Sequence, residues 1–412
     1  MKRSPLLGAL GAAALGLVSI GALTWPARSA PDNYTAIERG RYLAVAGDCN
    51  ACHTAPGGQP FAGGRDLATP FGTIYTANLT PDGTTGIGRW TADDFYHAMH
   101  EGKRPDGTLL YPAFPYPSYT KVSRADSDAI FAYLQTLEPV PNAVDRNTLP
   151  FPFDIRSVML GWNALFFRPG EYKPDPARSA EFNRGAYLVE GLGHCGTCHT
   201  PMNALGANKA SQAYQGNLIQ GWVAPNITND DRVGLGRWSL DDIVGYLQNG
   251  HGVQSAASGP MAEVITNSTA EMTKADLHAI AVYLKERGAA GEAAPAAVPE
   301  GDPQMQAGAA IYRDTCMACH TGSGAGVNAI FPKLAGSQIV QQADPTTLVR
   351  VVVQGSRSAS TPRAPTGPGM PSLGWRLSDA QVANVVTYIR NAWGNRAERV
   401  SAGDVASIKK KL

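Results

Sequence analysis

The chain has 412 residues, which at roughly 100–200 residues per domain allows two to four domains. With 43% hydrophobic and 17% charged residues it can build cores, so wholesale disorder is excluded. A formal net charge of +1 excludes the broad basic face that general nucleic-acid binding needs, and no nucleic-acid partner is expected. The first element is a targeting segment. Lys2 and Arg3 precede an apolar run from Leu6 to about Trp25, and small residues follow at Ala27, Ser29 and Ala30. Residues 1–30 therefore read as a signal peptide cut after Ser29, or as an uncleaved N-terminal anchor. Either places the chain outside the cytoplasm, in a bacterium in the periplasm, at the outer face of the inner membrane.

All six cysteines fall in one repeated motif. They stand as Cys49-Asn50-Ala51-Cys52-His53, Cys195-Gly196-Thr197-Cys198-His199 and Cys316-Met317-Ala318-Cys319-His320. Each is C-x-x-C-H, the attachment signal for a c-type haem. Two thiols three residues apart on one turn can add to the two vinyl groups, and the adjacent imidazole then lies under the iron. A disulfide framework does not place His after every second Cys. A closed zinc site needs a fourth ligand, and no cysteine is left to supply it. The expected cofactors are three covalently bound haem c groups, held by Cys49, Cys52, Cys195, Cys198, Cys316 and Cys319, with His53, His199 and His320 as iron ligands.

Similar text surrounds the motifs. Arg39-Gly40-Arg41-Tyr42-Leu43, Arg184-Gly185-Ala186-Tyr187-Leu188 and Ala307-Gly308-Ala309-Ala310-Ile311-Tyr312 each open a helix leading into the Cys pair. Downstream, Asn78 to Trp90 and Asn226 to Trp238 repeat with the same spacing, and each ends in an Asp-Asp pair, Asp93-Asp94 and Asp241-Asp242. Amphipathic closing helices are expected over 126–137, 274–285 and 378–393, from apolar residues at helical spacing. Strand signal is slight. Residues 289–304, rich in Ala and Pro, read as a flexible or extended tether. Residues 146–176 are rich in aromatics. They read as a helix packed between the first two units, or as a docking patch for a partner or the membrane interface.

On these motifs, with Leu110-Tyr111-Pro112-Ala113-Phe114-Pro115-Tyr116 and Gly369-Met370-Pro371, the chain resembles the three-haem cytochrome c subunits of bacterial membrane-bound periplasmic dehydrogenases of alcohols, aldehydes, gluconate or sugars. The likeness covers about residues 34 to 395. It implies an all-α fold of three tandem class I cytochrome c domains, at 34–145, 177–288 and 305–396, with a tail at 397–412. It implies no catalytic residue in this chain. Electrons pass from a dehydrogenase catalytic subunit with a quinone, flavin or molybdenum cofactor to ubiquinone or another respiratory acceptor at the membrane surface. A haem enzyme of the peroxidase type, using an open first haem, is the alternative. A membrane anchor, with Lys409, Lys410 and Lys411 at its end, is a third reading.

Haems of this kind usually take Met as sixth ligand. Met370 lies 50 residues after His320 and Met261 lies 62 after His199, each beside Gly and Pro, and both are assigned as metal ligands against a gap-filling core role. Met272, at the start of a helix, is set aside. In the first unit the corresponding place holds Phe114, 61 residues after His53, and Phe cannot ligate iron. Met99 and His100 remain as substitutes; the helical stripe favours a core role for Met99, and His100 is expected to face water. Arg89 and Arg237 are either partners for haem propionates or surface arginines.

Overall fold

The structure, a computed structural model, describes residues 30–412 apart from 289, 290 and 292. The targeting segment lies outside the described residues. The structure is 41% helix.

Each motif sits between an opening and a closing helix that cross at a glycine. Ala30–Ala46 packs on Arg124–Leu134, Ala180–Tyr187 on Lys274–Lys285, and Pro303–Thr315 on Asp379–Asn391. The repeated glycine is explained by this crossing. A Cβ on Gly40 would lie 1.8 Å from the Ala129 carbonyl oxygen, one on Gly185 1.9 Å from that of Ala279, and one on Gly308 2.2 Å from that of Asn384. Around the three pairs form three apolar clusters. The first holds Leu43, Phe95, Met99 and Leu134, the second Leu188, Trp238, Ile243 and Leu284, and the third Tyr312, Val349, Val385 and Ile389.

The Asp-Asp repeats are helix starts. Thr91 and Asp94 form a capping box for the helix Ala92–Glu101, and Ser239 and Asp242 do the same for Leu240–Asn249. Both helices end on a left-handed glycine, Gly102 and Gly250. The slight strand signal hides three antiparallel ribbons: Asp66–Thr69 with Gly72–Tyr75, Asn217–Ile219 with Trp222–Ala224, and Ser356–Arg357 with Gly369–Met370. Strands of two to four residues are too short to show alternation.

The connecting segments differ from expectation in two places. The tether is docked at its far end: Val298 is buried, its amide donates to Asn391 Oδ1 at 3.2 Å, and the next helix already starts at Pro303. The segment 397–412 is no loose tail. It carries the helix Ala402–Lys409 and puts Val400 and Val405 into the third cluster. Arg390, fully buried on the closing helix, donates to the carbonyls of Val340, Gln342, Ala343 and Glu398 and so ties this segment to the core. The aromatic segment forms the helix Val158–Phe166. It packs between the first two units: Tyr116 donates to Asn163 on one side, and Trp162 Nε1 donates to the Leu205 carbonyl at 2.9 Å on the other. Its outer face leaves Leu160 64% and Leu165 66% exposed.

The first two units embrace reciprocally. Tyr42 donates to Asp276 Oδ2 at 2.6 Å, and the matching Tyr187 donates to Asp126 Oδ2 at 2.6 Å. Each Asp is also held by its own unit's arginine, Arg184 for Asp276 and Arg39 for Asp126. Ala46 enters the second cluster while its counterpart Leu192 enters the first. Exchange of equivalent contacts is what an approximate two-fold relation produces. The third unit attaches differently, through Thr347 Oγ1 to the Val223 amide, Gln342 Nε2 to the Val233 carbonyl, and the Arg350 guanidinium 4.6 Å over the Trp222 ring.

Candidate haem-binding centres

Each motif coils into a single helical turn: Cys49–Cys52, Cys195–His199 and Met317–His320. In all three the histidine Nδ1 meets a backbone carbonyl, that of Ala77 at 2.7 Å for His53, Pro225 at 2.7 Å for His199 and Pro332 at 3.0 Å for His320. Such a bond holds the proton on Nδ1 and leaves the Nε2 lone pair as a metal donor in a fixed direction. Burial lowers all three imidazole pKa values, outweighing the carbonyl bonds that raise them, so the rings are neutral.

The thiols are unpaired. Burial pushes Cys49 and Cys195 up to about 12 and Cys198 and Cys316 up to about 11. Buried neutral thiols do not suit a thiolate metal site. Among the described residues no group of three His, Cys, Asp or Glu could hold a metal ion by itself. Paired thiols and a neutral imidazole facing an apolar hollow fit a haem, which brings its own iron and needs an apolar container; the second and third motifs face such a hollow.

That hollow is continuous between the second and third motifs. Cys195, Cys198, His199 and Met261 line it, together with Cys316, Cys319, His320 and Met370. Met261 lies in the first turn of the helix Pro260–Asn267. The turn before it is fixed by Gly259, whose φ is 57° and whose missing Cβ would lie 2.4 Å from the Trp222 ring. Met370 is held by the ribbon that pairs it with Ser356. Both sequence-assigned methionines therefore share a cavity with their histidines. Met272, set aside on sequence, lines the same cavity and is buried in the second cluster; its place before a helix gave no sign of this.

The first site differs. Phe114 is half-buried against the first cluster and packs on Tyr119, with ring centroids 5.2 Å apart. Met99 is buried in that cluster, and its Sδ receives the Ser127 hydroxyl at 3.8 Å. His100 does not face water. It is 5% exposed, its Nε2 bonds to the Val122 carbonyl at 2.5 Å, and its ring stacks on Tyr96 at 3.9 Å. The exposed neighbour is His97, paired with Glu101. Helical counting from the matched tryptophans missed the loop carbonyl that draws His100 inward.

The first and second motifs abut. Cys52 and Cys198 are near enough to feel each other's charge, and the helix carrying Met261 packs on the turn Cys49–Cys52. Arg65 bridges them: Nη1 donates to the Ala51 carbonyl at 2.8 Å and Nη2 pairs with Glu263 at 2.7 Å. Asp48, with a left-handed φ of 52°, is buried at this junction, where burial and the Glu263 charge push its carboxyl up to about 8 against the pull of Arg65. His194 occupies the matching position in the second motif and packs on Tyr119 of the first unit. Arg89 and Arg237 are exposed.

The cytochrome c family profile matches residues 305–393. Across nearly the whole chain, the gluconate 2-dehydrogenase cytochrome c subunit of Pantoea cypripedii is 42% identical, covering 92% of this chain and 90% of that one. The cytochrome c subunit of the quinone alcohol dehydrogenase of Gluconacetobacter polyoxogenes is 40% identical, covering 90% and 84%. The fructose dehydrogenase cytochrome subunit of Gluconobacter japonicus is 36% identical, covering 90% and 82%. A cytochrome c domain carries covalently attached haem c, and relatives along almost the full length are dehydrogenase cytochrome subunits. The chain belongs to this family of dehydrogenase cytochrome c subunits.

Proposed function

We propose that the chain is a three-haem electron-transfer subunit, built as three tandem class I cytochrome c domains. It carries electrons from a dehydrogenase catalytic subunit to ubiquinone or another respiratory acceptor, at the periplasmic face of the inner membrane. The observation that carries this reading is the carbonyl tether on Nδ1, repeated at His53, His199 and His320. Bound at these sites, haem supplies a one-electron iron couple. The protein's part is to hold, orient and shield. In this reading six thiols anchor, three imidazoles ligate, and Met261 and Met370, which line the same cavity as His199 and His320, serve as sixth ligands. Apolar side chains exclude water. No residue is assigned substrate chemistry.

The contacts support a linear order with the second site in the middle, since the first motif abuts the second and the second shares its cavity with the third. The uncharged outer face of Val158–Phe166, with Leu160 and Leu165 exposed, is the surface we assign to the membrane interface. Among the described residues no helix is long and apolar enough to cross a membrane. The test of the relay is the double variant Cys198→Ala, His199→Ala in the assembled dehydrogenase. The expected result is loss of one haem per chain and collapse of substrate-to-quinone turnover. Loss of the haem with unchanged turnover overturns the linear relay.

A further inference from the structure

The second unit shows the path by which the chain brings Met261 into its cavity, and the first unit repeats that path with a different residue at its end. After the helix Leu240–Asn249 the chain turns at Gly250, bridges His251 to Ala256, and returns the Ala257 amide to the Gly250 carbonyl at 2.7 Å. Four residues after Ala257 comes Met261. After Ala92–Glu101 the chain turns at Gly102, bridges Lys103 to Leu109, and returns the Leu110 amide to the Gly102 carbonyl at 2.7 Å. Four residues after Leu110 comes Phe114. The backbone register thus sets Phe114 in the place of Met261, and both pack against the cluster of their own unit.

The two substitute donors of this unit are committed elsewhere. The Met99 sulfur receives a hydroxyl within the core. The His100 Nε2 is tied to the Val122 carbonyl, and its ring is stacked on Tyr96. Bringing either to an iron leaves a buried polar group without its partner.

We propose that the first site leaves the sixth coordination position of its haem without a side-chain donor, and that Phe114 makes this position a binding site for a small neutral diatomic ligand of the carbon monoxide type. This rests on the reading above that the first motif carries a haem. A benzyl group offers no lone pair to iron and no proton to a bound ligand. Phe114 therefore favours ligands that need no hydrogen-bonded charge. The second and third sites, with Met261 and Met370 available, do not share this property.

The experiment uses the full-length holoprotein with its haem content counted first by pyridine haemochrome. Reduced protein is then titrated with carbon monoxide and followed by absorbance. The expected result is three haems, one of which binds the gas. The variant Phe114→Met should abolish that binding, add a third methionine-ligated signature to the ferric spectrum, and raise the midpoint potential of the gas-binding haem. Three haems with none binding carbon monoxide overturns the inference and leaves the three-haem reading standing. So does binding that appears only after Met99→Leu or His100→Gln, since it identifies that residue as the ligand. A chain with two haems overturns the three-haem reading and the inference with it.

Discussion

Four side chains, Tyr42, Asp276, Tyr187 and Asp126, join the first two units. Each tyrosine crosses to the other unit and donates to a carboxylate already held by an arginine. Hydrogen bonds to charged acceptors contribute about 1.5–3 kcal/mol, so Tyr42→Phe and Tyr187→Phe should each lower unfolding stability by about that amount. Urea unfolding of the holoprotein measures it, and a loss under half a kcal/mol for both variants contradicts the reciprocal clamp. The clamp also carries a pH dependence. Burial works to raise the Asp276 carboxyl, but the hydrogen bonds from Arg184 and Tyr42 and the charge of Arg184 outweigh it and hold it below the ordinary aspartate range. A depressed native value means that this stabilisation is present above the unfolded value near 3.9 and disappears as pH falls through the native one. Acid unfolding should therefore be shallower below pH ~4 in Asp276→Asn than in the parent; equal acid dependence contradicts the assignment. The sequence placed Tyr42 and Tyr187 at matching positions in the opening helices but not their reach across units. Periodicity within one helix carries no information about a partner some 230 residues away.

At the scale of elements, the repeated glycines and the capping boxes account for much of the internal repeat. Gly185 brings its helix so close to the Ala279 carbonyl that any Cβ forces the pair apart. Gly185→Ala should destabilise the second unit by about 1–3 kcal/mol, the usual cost of overpacking, despite alanine's better helix propensity. A gain in melting temperature contradicts the crossing. Arg390→Met should cost the third unit about 3 kcal/mol or more, because it leaves buried carbonyls without a donor. Removal of residues 397–412 should have a comparable effect on the same unit. The helices were legible because their apolar stripes recur at 3.6 residues, and the closing helix Lys274–Lys285 lies where its pattern put it. The short ribbons were not legible, since two to four residues show no alternation. The final helix was not either: its polar and lysine-rich text hides the two valines, Val400 and Val405, that enter the core.

Across the whole chain, three C-x-x-C-H motifs stand in sequence, the first pair of units joined by reciprocal contacts and the third motif lining an apolar cavity with the second. The three motifs stand out on sequence because their spacing is fixed, and flanking Gly and Pro single out Met261 and Met370, which the structure puts in one cavity with His199 and His320. What the sequence withholds is adjacency, namely Cys52 beside Cys198, Arg65 bridging to Glu263, and His100 turned inward. These depend on packing between units rather than on any local pattern. Intact-mass measurement of the full chain, matured with a haem-ligation system, should give the polypeptide plus three haem groups. Variants of each Cys pair, Cys49/Cys52, Cys195/Cys198 and Cys316/Cys319, should each lose one. A parent chain carrying one haem, within the third unit alone, would contradict the three-centre relay.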